Sequence, residues 1–216
     1  MPSPSLIAMS EETARRLREA RARASQASGE ADNRKRELLD TIARDLPARV
    51  ESRAKSTAQA QPEVTKALGK DGIKKFRSEL LDQATELATE IRAAADQIKW
   101  PMPLTTGTSN AWVMPAISPV KSREIHSALF EFLHGRRCDT LAAILKRHGF
   151  NIEDDNAQRS QGLILPQTWL YSEREQVREF EALAEALTAL AKEREAVKEA
   201  QAVHDREVVD SLWEDD

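Results

Sequence analysis

A single cysteine, Cys138, stands in a chain of 216 residues. An internal disulfide is excluded, and a reducing, cytoplasmic setting is expected. Aromatic residues make up only 5% and glycines number seven, too few for the cores and turns of a sheet-based enzyme. Nowhere do about 18 apolar residues run together, so no membrane span is expected. Met1–Met9 lacks a basic stretch followed by an apolar one, so it does not read as a secretion signal.

The motifs of phosphate, dinucleotide and acyl-transfer sites are also missing: no GxxxxGK[ST], no GxGxxG after a strand, no GxSxG. One cysteine cannot build a cysteine-rich zinc site. His126 and His134 are eight residues apart, too far for shared ligation of the i, i+4 kind. Glu153–Asp154–Asp155 lacks the spacing and glycine of a calcium loop and reads as a solvated turn. Cys138 with His148 would imitate a thiol nucleophile, but an inert thiol beside a helix cap is the simpler reading. No catalytic, cofactor or metal residue is assigned, and an enzyme is not expected.

What the chain does have is apolar periodicity. Ile73, Phe76, Leu80, Ala84, Leu87, Ile91, Ala94 and Ile98 recur at spacings of three and four. That is the stripe of an amphipathic helix over Ile73–Trp100, with charges between. Such a helix buries its stripe only against partners.

Two further stripes supply them. Leu38, Leu39, Ile42, Leu46 and Val50 form one, which thins to Ala54 and Ala58. Pro47 lies inside it and predicts a kink or break near Leu46. Gly29 predicts a break before it. Gln61–Pro62 restarts the chain, and Gly69–Gly72 punctuates it before the central helix. The other stripe follows Ser172, a plausible N-cap with Glu173 and Glu175 in the first turn. There Phe180, Leu183, Leu187, Leu190 and Val197 approach a heptad. Arg194, Gln201 and His204 then occupy seam positions, so the second half is weakly specified.

The first helix expected, 11–28 with Ser10 as N-cap, is crowded by Arg15, Arg16, Arg18, Arg21 and Arg23. It reads as a basic arm for an acidic partner or nucleic acid, or as a helix packed by alanines against the acidic C-terminal segment. That segment, 172–216, holds 14 acidic and 6 basic side chains. Its charge argues against nucleic acid there and for a basic protein surface, unless it is only a solvated helix face.

Between the long helices, residues 101–120 carry four prolines and read as a connector laid on a surface. Lys121–His134 and a helix capped by Asp139 form a compact pair, each ending at His-Gly. Phe150–Glu153 and Leu163–Leu165 are candidate strands of a hairpin. Helix, turn, helix, wing is the order of a winged helix-turn-helix, with Arg136, Arg137, Lys146 and Arg147 as phosphate contacts. The acids of the wing tip oppose that use.

The expected fold is mainly α: long antiparallel helices, as a coiled-coil-like stalk or elongated bundle, with a small helical head carrying a short hairpin. The boundaries drawn are a disordered N-terminus (1–9), a helical arm (10–100), a compact middle module (101–171), a long C-terminal helix (172–210) and an acidic tail (211–216). The expected role is a non-enzymatic interaction or scaffolding protein that self-associates or docks on a protein partner. The alternative is a DNA-binding accessory protein using 121–165. Leu212, Trp213, Glu214 and Asp215 are the candidate partner-binding residues, an apolar anchor beside acids.

Overall fold

A proline that starts a helix and a glycine that interrupts one organise the first hundred residues. The computed structural model describes residues 4–103, 105–106, 116–133, 136–151 and 178–213. Five helices occur among the described residues: α1 (Pro4–Ala60), α2 (Pro62–Arg92), α3 (Ser122–Leu133), α4 (Arg136–Arg147) and α5 (Arg178–Trp213). A two-residue ladder, β1 (Thr105–Thr106) with β2 (Ala116–Ile117), is antiparallel, Thr105 opposite Ile117. It falls inside the connector read as laid on a surface, residues 101–120. The hairpin expected over 150–165 lies outside the described residues except for Phe150 and Asn151, as does the N-cap Ser172.

The chain divides into two compact units. One comprises residues 1–34, 101–121 and 181–216, the other 35–100 and 122–180.

In the first unit the N-terminal part of α1 packs on α5. Thr13, Leu17, Ala20 and Ala31 are buried from α1, and Leu183, Ala186, Leu187 and Leu190 from α5. The pairing is antiparallel: Thr13 donates to Glu207 (2.8 Å), and Arg23 Nε donates to Glu193 (3.1 Å). The connector joins this unit through Val120, whose N–H donates to the Thr188 hydroxyl at 3.0 Å.

In the second unit α1 and α2 form an antiparallel hairpin. Proline at the first helical position fits where no N–H partner is needed. Thr65 Oγ1 donates to the Ala58 carbonyl at 2.6 Å and ties the two sides of the joint. Further along, Arg77 pairs with Glu51, and Arg92 with Asp40 at 3.6 Å. Leu38, Leu39, Ile42, Leu46 and Val50 meet the central stripe, of which Phe76, Leu80, Ala84, Leu87 and Ile91 are buried. α4 packs on α2, and α3 on α4.

Four local expectations are corrected. α1 is helical from Pro4 and does not break at Gly29; it also continues through Pro47, where the expectation was a kink or a break. A glycine costs a helix about 1 kcal/mol and an internal proline about 3 kcal/mol; burial of Leu38, Leu39, Ile42, Leu46 and Val50 on both sides of Pro47 outweighs that. The central helix stops at Arg92, with Ala93 as its C-cap. Ala94 and Ile98 stay buried from the turns that follow, where Trp100 Nε1 donates to the Ala95 carbonyl at 2.8 Å. α4 begins at Arg136, so Asp139 lies inside it rather than capping it. The Gly69 punctuation is present: Gly69 has φ 62° and ψ −175° within α2.

Candidate functional site

The thinning of the second stripe has a structural counterpart. Ala54 and Ala58 stand on α1 where the stripe would otherwise carry leucine or valine. Small side chains facing α2 cannot fill the space between two helices. An open cleft of about 870 Å³ results in the second unit, between the end of α1 and the first turns of α2.

Its described walls are apolar at the bottom: Ala54, Ala58, Ile73 and Phe76. Ala54 and Phe76 are buried, while Ile73 is half-buried because it faces the cleft. Lys55, Lys66 and Arg77 also line it and are exposed, as does Glu51, the partner of Arg77. Neither lysine has an ion-pair partner among the described residues. An apolar floor with a few polar groups at its edge is the form of a binding surface.

The floor is held from behind. Phe76 packs on Phe150 (ring centroids 4.6 Å apart) and on His148 (5.3 Å). His148 Nε2 donates to Glu79 at 2.9 Å, and Arg147 donates to the same oxygen at 2.7 Å. The hydrogen bond from His148 holds the Glu79 carboxyl below its ordinary value; desolvation opposes it, and the charge of Arg147 adds a smaller downward pull. Gly149, with φ 82°, makes the turn that allows Phe150 to follow His148 onto α2.

The sequence-derived nucleic-acid candidates are not equivalent here. Arg147 is engaged by Glu79, and both it and Lys146 are exposed at the end of α4. Arg136 and Arg137 begin α4, and their side chains lie outside the described residues. Of the partner-binding candidates, Leu212 and Trp213 belong to the last turn of α5, with side chains outside the described residues, as are Glu214 and Asp215 altogether. Val208 and Val209, just before them, are exposed. The histidines serve separate contacts: His126 on Phe180 (5.9 Å), His148 on Glu79, and His204 with Nδ1 at 3.4 Å from the Thr13 hydroxyl. Cys138 and His134 fall outside the described side chains.

The weak half of the α5 seam is polar but partnered. Arg21 donates to Gln201 at 2.7 Å, and Gln201 donates to Asp205 at 2.6 Å. Of the five arginines of the first helix, Arg21 and Arg23 thus meet the acidic helix, as in the second of the two readings of that segment, while Arg15 and Arg16 pair with Glu12 and Arg18 donates to the Ala14 carbonyl within α1. The cleft itself was not legible in the sequence. Its one trace is the pair Ala54 and Ala58, four residues apart on an otherwise large-residue stripe.

No protein-family model, curated protein or solved structure matches the chain. Among the described residues no helix is long and apolar enough to cross a membrane.

Proposed function

We propose that the chain is a non-enzymatic helical interaction protein, an adaptor or scaffolding subunit of a larger assembly in the cytoplasm. The observation that carries this reading is the α1–α2 cleft: half-buried Ala58 and Ile73 beside buried Ala54 and Phe76, edged by exposed Lys55 and Lys66. Helix-in-groove docking uses such a surface, with bulky anchors entering the floor and charges meeting at the rim.

Cross-linking in the native host tests it. A lysine-reactive reagent is expected to join Lys55 and Lys66 to another polypeptide, and Ala58→Arg, which fills the cleft from an existing helix position, is expected to abolish those products while the thermal melt is retained. Identical products from both proteins would overturn the reading.

The alternative, duplex DNA binding by residues 121–165, has the packed α3–α4 pair and exposed Lys146 in its favour. It has against it the engagement of Arg147 by Glu79. Submicromolar affinity falling steeply with salt would establish it instead.

A further inference from the structure

The cleft and the end of α5 have complementary chemistry. Ala54, Ala58, Ile73 and Phe76 offer an apolar floor, and Lys55 and Lys66 two cationic edges. Leu212–Trp213 joins two bulky apolar residues to three successive acids, Glu214, Asp215 and Asp216. Ile152–Asp155 also joins an apolar residue to acids, but it brings one aliphatic side chain to a space of about 870 Å³. An indole and a leucine fill far more of it.

We infer that the α1–α2 cleft binds the C-terminal segment Leu212–Asp216 of a second copy of this chain. This rests on the reading of the cleft as a docking surface and names its occupant. Three considerations support it. The charges match, two lysines against three carboxylates. The valines that precede the segment, Val208 and Val209, are 40% and 49% exposed. And one chain carries both socket and plug, so a two-fold dimer satisfies each cleft with its partner's terminus. Reciprocal exchange doubles the buried area, which a single short segment would leave below that of a stable interface.

The experiment uses the full-length chain and a fluorescein-labelled peptide of residues 205–216. The receptor is Trp213→Ala protein, whose own terminus no longer competes. Binding is expected to follow by fluorescence anisotropy, to weaken by about tenfold or more in Lys55→Glu/Lys66→Glu, and to weaken with added salt. Circular dichroism melts show that each variant is folded. By sedimentation, the wild-type chain is expected to dimerise over the micromolar range and Trp213→Ala to remain monomeric.

Several results would overturn the inference. These are failure of the peptide to bind, equal affinity for the lysine variant, or a wild-type chain that stays monomeric. A fully occupied cleft in a monomeric wild-type chain would assign the segment to its own molecule and equally exclude a second copy. Should the peptide fail while Ala58→Arg still abolishes cross-links in the host, the docking reading stands and a different protein fills the cleft. Loss of both would remove the cleft from function.

Discussion

Gln61 and Asn151 meet through two hydrogen bonds: the Gln61 side-chain Nε2 donates to the Asn151 carbonyl at 3.2 Å, and the Asn151 N–H donates to Gln61 Oε1 at 3.0 Å. A side-chain amide here does what a neighbouring strand would do, pairing one residue's N–H and C=O at once. It fastens the chain leaving α4 to the joint between α1 and α2. Gln61→Ala removes both bonds and is expected to lower stability by about 1 kcal/mol, since the pair is partly solvated. Gln61→Glu keeps an acceptor but loses the donor, so its urea midpoint should fall between the two. A midpoint for Gln61→Ala equal to that of wild type would mean that the pair contributes nothing.

Two glycines should respond in opposite directions. Gly69 has φ 62° and ψ −175°, a region open essentially to glycine alone. A Cβ there touches nothing within 4 Å, so the cost of Gly69→Ala is conformational, about 1–3 kcal/mol. Gly29 lies inside α1, and its Cβ would also meet nothing. Gly29→Ala is expected to stabilise by about 0.5–1 kcal/mol. Thermal melts of the two variants should move apart, and a shift in the same direction would contradict one of the two backbone assignments.

Leu87 is 5% exposed in the middle of the central stripe. Leu87→Ala should destabilise by about 2–5 kcal/mol, through lost transfer energy and the cavity left behind. Chemical denaturation with an unchanged midpoint would place α2 outside the core.

Glu79 carries a pH dependence of definite sign. Its carboxyl titrates below its ordinary value in the folded chain because His148 donates to it and Arg147 lies beside it. The stability this adds is complete above the ordinary glutamate range and is lost as the pH falls through the lowered value. Urea midpoints at pH 7 and near pH 4 should therefore converge in Glu79→Gln relative to wild type. A wild-type acid response retained in full by Glu79→Gln would assign it to other carboxylates.

Much of the helical content was legible in the sequence, because period and punctuation are local. Phe76, Leu80, Ala84, Leu87, Ile91, Ala94 and Ile98 lie at the spacing of a helix and are all buried. Gln61–Pro62 and Gly69 mark real discontinuities. Errors arose where tertiary burial overrode a local cost, as at Gly29, or where burial continued after the helix had ended, as at Ala94 and Ile98. The cleft was hidden for a related reason. A void between helices depends on which residues face each other, and pairing Ala54 and Ala58 with Ile73 and Phe76 is not a property of either segment alone.

The polar half of the α1–α5 pairing also decides alignment. Leucines and alanines pack almost as well after one helix slides a heptad along the other, a shift of about 10 Å at 1.5 Å per residue. Arg21 and Arg23 tolerate no such slide. In one direction Arg21 would face Val208 and Arg23 would face Ala200. In the other, Arg21 would face Arg194 and Arg23 would face Ala186. Only the observed setting gives the two guanidinium groups Gln201 and Glu193 as acceptors. The residues that weaken the heptad thus act as a vernier, selecting one position from several that the apolar residues would accept.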